Sequence, residues 1–199
     1  MSQIHYFTDN SGLPSNRREI TFQFSGRTFT FVTDDGVFSK DGVDQGTKIL
    51  LKNAVCTPLS GSVLDLGCGY GTVGIVVKTM FPECSVTCSD VNSRALELTE
   101  LNAEKNKTTV RAVRSDRFDS LADHFDLILT NPPIRAGKAV VHGILSEAYD
   151  HLNRGGILLA VIRRKQGAES AVRKIAEVFG SCEVIDRDKG YWILKGIRN

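Results

Sequence analysis

The chain has 199 residues, 41% of them hydrophobic and 24% charged, with a formal net charge of +2. Such a composition suits one globular domain with a sizeable core and excludes a disordered or fibrous chain. No run approaches the about 18 apolar residues of a membrane-spanning helix, and the near-neutral charge leaves nucleic-acid binding to a local basic patch.

Residues 1–17 are polar and lack an apolar signal-peptide run, which predicts a loose start and a cytoplasmic protein. The alternating runs REITFQF and RTFTFV follow, separated by Ser25-Gly26, with Ile20, Phe22 and Phe24 on one face. This is a hairpin signal. TDDGVFSKDGVDQGT is rich in turn residues and predicts an ordered loop, and a helical pattern begins near Thr47. After Pro58 the rhythm changes. SVLDLG predicts a buried strand, followed by a glycine-rich turn and the helix TVGIVVKTMF. SVTCSD is a second strand, and SRALELTELNAEKN an amphipathic helix with Leu98 and Leu101 inward. TVRAVRS and FDLILT are the third and fourth strands, and a helix follows from about Ala139. GGILLAVI is the fifth strand, AESAVRKIAEVFG a helix ended by Gly180, and CEVIDR and YWILKG pair across Asp188-Lys189-Gly190.

Strands alternating with helices of this length imply βαβ units and a parallel sheet. The final hairpin must add an antiparallel strand, because so short a link cannot make a parallel crossover. The expected fold is therefore α/β and Rossmann-like, with seven mostly parallel strands and a C-terminal reversal, a pattern that resembles class I methyltransferases. Residues 1–57 form an N-terminal extension of hairpin, loop and helix, packed on a core of residues 58–199 within one structural domain. The five cysteines lack a disulfide framework. Cys84 and Cys88 lie four apart on a strand, about 13 Å along it, too far to share one metal ion. They predict core packing and no metal site.

The central signal is VLDLGCGYGTVG, where a strand runs through glycines into a helix. Backbone there approaches a ligand at the carboxyl end of a parallel strand. Gly69, Gly71 and Gly74 match the dinucleotide fingerprint. Asp65 argues against a dinucleotide, because its carboxylate would repel a pyrophosphate at the helix N-terminus. S-adenosylmethionine carries an ammonium and a sulfonium instead, and a carboxylate beside the glycines assists it, directly or through water. Cys68 and Gly71 belong to the same turn and join the cofactor site. Asp90 ends the second strand, where a carboxylate accepts hydrogen bonds from ribose hydroxyls. Val91 and Asn92 are placed to flank the adenine. Asp116 ends the third strand and can accept the adenine amine or cap a turn.

Asn131-Pro132-Pro133 follows the fourth strand directly. Two prolines stiffen the backbone and remove two donors. The Asn131 amide and the Pro132 carbonyl are left to accept from a planar NH2 group, turning its lone pair toward a methyl. Proximity and orientation then supply most of the rate.

The combination DLGCGYG, SDVN and LTNPP resembles class I amino-methyltransferases. With GVFSKDGVDQGTKILL and NPPIRAGK, the chain from about Tyr6 onward resembles the small-subunit ribosomal RNA guanine-N2 methyltransferase family. The resemblance implies that Asp65, Gly67 and Gly69 meet the methionine part of S-adenosylmethionine, Asp90 its ribose and Asp116 its adenine. It implies that Phe38, Asp44, Gly46 and Thr47 close over the cofactor and that Asn131 holds the target amine. Many members carry an aromatic where this chain has Ile134, so base stacking falls to another residue such as Phe38. Larger members also carry an N-terminal methyltransferase-like half.

Arg135 and Lys138 flank the Asn-Pro-Pro loop, and Arg163, Arg164 and Lys165 leave the fifth strand on the same sheet edge. Together with Ile134 they form a rim suited to RNA phosphates. The leading expectation is thus methylation of a guanine N2 amine in small-subunit ribosomal RNA. The alternatives are a protein glutamine amide, a DNA adenine, and an RNA-binding module without catalysis.

Overall fold

The computed structural model describes residues 14–57 and 59–199, so the predicted loose start over 1–17 falls mostly outside the described residues. The chain opens with a two-stranded hairpin, β1 (Arg18–Phe24) and β2 (Arg27–Thr33). Helix α1 (Gln45–Ala54) follows, then β3 (Ser62–Leu66), α2 (Thr72–Met80), β4 (Ser85–Asp90), α3 (Ser93–Lys105) and β5 (Arg111–Arg114). The second half runs β6 (Phe125–Thr130), α4 (Lys138–Asp150), β7 (Leu152–Arg163), α5 (Ala168–Phe179), β8 (Glu183–Asp188) and β9 (Tyr191–Ile197).

The main sheet has seven strands in the order β5-β4-β3-β6-β7-β9-β8. Only β9 is antiparallel to its neighbours, as the sequence predicts. The order reverses between β3 and β4 on one side and β6 on the other, so a crevice opens beyond the carboxyl ends of β3 and β6. Both faces are covered. One core cluster joins β3, β4 and β6 residues with α1, α2, α3 and the hairpin. The other joins Leu64, Ile128, Leu158 and Leu194 with α4 and α5. Burial on both faces explains why these strands are continuous apolar runs. Cys84 and Cys88 are fully buried in the first cluster.

Both hairpin turns are two residues long, and their central residues have positive φ: Ser25 and Gly26, Lys189 and Gly190. Such turns match the right-handed twist of paired strands. The predicted three-residue link is shortened to two because Asp188 still pairs with Tyr191. The hairpin is held by asparagines of α3. Asn102 accepts from the Val32 amide at 2.6 Å and donates to the Val32 carbonyl at 2.9 Å. Asn106 repeats the pattern with Thr30 at 3.1 and 2.8 Å. These side chains satisfy backbone groups that a strand edge otherwise leaves unpaired. Among the described residues, no helix is long and apolar enough to cross a membrane.

Candidate active site

A cavity of about 350 Å³ lies at the carboxyl ends of β3, β4, β5 and β6. That size falls within the range of small-molecule and cofactor sites. The turn after β3 forms its floor. Gly67, Gly69 and Gly71 all have positive φ. A Cβ on Gly67 or Gly69 would meet nothing within 4 Å, because both face the open cavity. Gly71 differs. A Cβ there would come within 2.9 Å of Ile75 and Thr99, and the residue does not line the cavity. It serves as the start of α2 and lets that helix pack close, so its expected cofactor contact is not seen.

Gly74 brings α2 against the sheet, since a Cβ there would lie 2.3 Å from the Cys88 sulfur. The same approach lets the Gly74 amide donate to Asp65 Oδ2 at 2.8 Å. Asp65 lines the cavity yet is only 3% exposed. Burial, with the nearby Asp90 charge adding, pushes its carboxyl up to about 7 despite the Gly74 hydrogen bond. Asp90 accepts from Gly69 N–H and Asn92 N–H, both at 2.9 Å, one on each oxygen. A carboxylate offers about four lone-pair sites, and the Val91 amide also lies close to this one, so part of its acceptor capacity remains for a ligand. Burial also raises the Asp90 pKa.

Asn92 is fully buried and lines the cavity, but its amide is occupied. It caps α3 through Arg94 N–H and donates to the Gly36 carbonyl at 3.0 Å. Its structural work is to tether the 34–44 loop. That loop is also held by Tyr70, whose hydroxyl donates to the Ser39 carbonyl at 3.4 Å, and by Thr33, which donates to the Lys40 carbonyl at 2.6 Å. Phe38, Asp44 and Thr47 thereby reach the cavity, whereas Gly46 sits behind it against Tyr191.

Asn131 and Pro133 line the far wall. Pro132 is buried and does not. The Asn131 amide nitrogen donates to Thr47 Oγ1 at 3.1 Å and to Asp44 Oδ2 at 3.3 Å. Ile134 turns toward the α4–α5 core cluster rather than the cavity. Asp116 is at the mouth with its carboxylate largely exposed, while its carbonyl accepts from Asp119 N–H at 3.0 Å. The side-chain cap expected of it is not seen among the described hydrogen bonds, and its carboxylate stands at the cavity mouth.

Arg135, Lys138, Arg163, Arg164 and Lys165 are exposed and lie outside the cavity. Arg163 sits over the Tyr191 ring at 5.6 Å, and Arg164 and Arg187 over Trp192 at 6.0 and 5.0 Å. Arg164 also pairs with Glu169 at 3.7 Å. Among the described residues, no cluster of three or more His, Cys, Asp or Glu side chains is set to hold a metal ion.

Sequence reasoning missed several lining residues. Tyr70 was visible as the residue between two glycines of the turn. Ala136 lines the cavity from the turn before α4, and Val140 and Ile144 line it from α4, where their spacing of four marks one helical face. Ser89, Ser115 and Arg117 adjoin Asp90 and Asp116 but gave no separate signal.

A family model described as methyltransferase small domain matches residues 28–195, from within β2 to within β9. The Bacillus subtilis protein YbxB is 42% identical over 194 residues, 96% of each chain. Ribosomal RNA small subunit methyltransferase C of Haemophilus ducreyi is 34% identical over 167 residues, 81% of this chain and 50% of that one. The structure of a T. thermophilus 16S rRNA N2 methyltransferase (RsmC) in complex with AdoMet and guanosine matches with a TM-score of 0.85 at 26% identity, covering 94% of this chain and 52% of that one. The chain thus spans nearly all of the Bacillus protein and about half the length of the ribosomal RNA methyltransferases it matches. With the family model covering most of its length and a Rossmann-like methyltransferase fold, the chain belongs to the methyltransferase small domain family.

Proposed function

We propose that this protein is a cytoplasmic S-adenosylmethionine-dependent N-methyltransferase whose acceptor is the exocyclic N2 amine of a guanine in small-subunit ribosomal RNA. The observation that carries this reading is the meeting of two half-sites in one cavity. Asp65, Gly67, Gly69 and Asp90 line one side, and Asn131 with Pro133 the other. The residues fit the cofactor. The Cβ positions of Gly67 and Gly69 are open, and Asp90 retains acceptor capacity for the ribose hydroxyls. Asp65 keeps one oxygen for the ammonium side. Support for the acceptor comes from the ribosomal RNA methyltransferase relatives and the RsmC structure.

When bound, S-adenosylmethionine supplies a methyl group on a positively charged sulfur. The protein's part is orientation. Asn131 Oδ1 accepts one hydrogen of the amine, whereas Pro132, buried away from the cavity, is not placed to accept the other. The nitrogen lone pair then points along the line of displacement. Transfer would form the nitrogen–carbon bond as the carbon–sulfur bond breaks, its electron pair staying on sulfur as a neutral thioether, and the surplus amine proton would pass to water. No strong base is required, because holding the reactants in line supplies most of the acceleration.

The Asp65 environment gives a pH signature. Its carboxyl titrates at about 7 in the folded protein, against an ordinary 3.8. The folded state therefore holds this proton more tightly than the unfolded one, and stability falls as pH rises from about 4 to 7. Binding of an ammonium favours the ionised form and releases the proton. Cofactor affinity should then rise roughly tenfold per pH unit below 7 and level off above it. Titration calorimetry at pH 6 in two buffers of different ionisation heat should show proton release that vanishes at pH 8. Equal heats in both buffers at pH 6 would contradict this role for Asp65.

The exposed cations are the expected RNA contacts. Replacing Arg163 and Arg164 together by glutamine should weaken RNA binding and reduce the salt-dependence slope by roughly 1–2. Cofactor affinity should not change. Small ribosomal subunits incubated with labelled cofactor, followed by mapping of the modified base, test the reading directly. A label confined to protein would overturn it.

A further inference from the structure

Asp44 was expected at the cofactor by resemblance, but its hydrogen bonds lead to the acceptor side of the cavity. Its Oδ1 accepts from Gly46 N–H at 2.8 Å. Its Oδ2 accepts from Thr47 N–H at 3.3 Å, from the Thr47 hydroxyl, and from the Asn131 amide nitrogen at 3.3 Å. The Thr47 hydroxyl, having donated to Asp44, accepts from the same Asn131 nitrogen at 3.1 Å. The side-chain NH2 of Asn131 therefore faces two acceptors of the α1 N-terminus.

We propose that Asp44, acting with Thr47, is the positioning residue that orients the Asn131 amide so that its oxygen, and not its nitrogen, faces the acceptor amine. The proposal rests on the reading of Asn131 as the amine clamp. Its physical content is a choice between two rotations of one amide. In the observed rotation, Asn131 donates to a carboxylate and a hydroxyl, and Oδ1 is left for the cavity. In the flipped rotation, Oδ1 would stand against the Asp44 carboxylate with no proton between them. The NH2 group would then face the NH2 of the acceptor, donor against donor. A negatively charged partner makes the first rotation strongly preferred, since hydrogen bonds to ionised groups are about twice as strong as neutral ones.

Two features show how local structure secures this device. Asp44 is the N-cap of α1, so the helix end that orders its carboxylate also stabilises its charge. Gly46 lets the two pack closely, since a Cβ there would sit 3.1 Å from Asp44 Oδ1 and 3.1 Å from the Tyr191 ring, so one of them would have to shift by a few tenths of an ångström. The stretch DQGT thus brings a cap, a spacer and a hydroxyl to bear on a residue 87 positions away.

Asp44→Asn separates this role from folding and from cofactor contact. Asparagine caps helices about as well as aspartate, so the melting temperature should hold. The new amide can donate to Asn131 Oδ1 and draws the clamp into the flipped rotation. Turnover should fall by roughly 30-fold or more, while the KM for S-adenosylmethionine changes less than about threefold. Thr47→Ser should retain activity, and Thr47→Val should lose much of it. A second readout does not depend on turnover. In the 15N-labelled full chain, the Asn131 side-chain amide protons, assigned by their loss in Asn131→Ser, should exchange slowly in the wild type. They should shift and exchange rapidly in Asp44→Asn. If Asp44→Asn raises the cofactor KM with kcat intact, or leaves the Asn131 amide signals unmoved, the positioning role is overturned. If the amide behaves as expected but the wild type methylates no amine in RNA or protein, the methyltransferase reading fails and the positioning geometry stands.

Discussion

Asn131→Ala should bind S-adenosylmethionine within about twofold of the wild type and turn over roughly 100-fold more slowly or worse. The split follows from where the side chain is anchored. Its nitrogen is bound to Asp44 and Thr47, and neither bond involves the glycine turn. Removing the amide deletes the acceptor for one amine hydrogen and leaves Asp65 and Asp90 with their partners unchanged. The loss should therefore appear in kcat, as for any group whose interaction is made with the reacting atoms. Calorimetry with the cofactor and single-turnover methylation measure the two halves separately. A variant that methylates at near the wild-type rate would remove Asn131 from the clamp. One that loses cofactor binding would assign it to the other half-site.

Asp90→Ala should weaken S-adenosylmethionine binding by about 1.5–3 kcal/mol, the worth of hydrogen bonds to a charged group. Asp90 does two things at once. In the proposed site its remaining lone pairs serve the ligand, and it holds the Gly69 and Asn92 amides at 2.9 Å each. Losing the carboxylate removes the ribose acceptor and also frees the turn that shapes the floor. NAD should not bind to the wild type, because a pyrophosphate laid on the glycine turn would meet both Asp65 and Asp90. Titrations of wild type and Asp90→Ala with both ligands distinguish the outcomes. Measurable NAD affinity without S-adenosylmethionine affinity would reverse the cofactor assignment.

Much of this was legible in the sequence because the signals were local. SVLDL and FDLIL are apolar on both faces, and only a strand covered on both sides needs that. The short link before Tyr191 dictated the reversed last strand. The cavity-lining residues Asp65, Asp90 and Asn131 were equally visible, since each lies at or just past the carboxyl end of a strand that reaches the same sheet edge. What was hidden depends on long-range contact. Gly71 matches the same glycine pattern as Gly69, yet only the position of Thr99 on α3 shows that it packs a helix. In the sequence Asn102 is an ordinary polar position of an amphipathic helix. It is fully buried, because it completes the hydrogen bonding of a strand 70 residues earlier in the chain. Ile134 was expected at the rim, but the short helical turn Ile134–Ala136 swings it toward the α4–α5 core and brings Ala136 to the cavity instead.

That arrangement leaves the acceptor wall without an aromatic from the Asn-Pro-Pro loop. Phe38 lines the cavity and is 39% exposed, which suits it to the proposed stacking on a base. A guanine in a duplex must first be flipped out, at a cost of a few kcal/mol. A single stacking ring offsets little of that, so an accessible loop in an assembled or partly assembled subunit should be preferred to naked duplex RNA. The most direct test of the whole account is mass spectrometry of small-subunit ribosomal RNA from cells with and without the gene. Loss of one N2-methylguanosine when the gene is removed is the predicted result. Unchanged ribosomal RNA together with a lost methylation on a protein glutamine would contradict it.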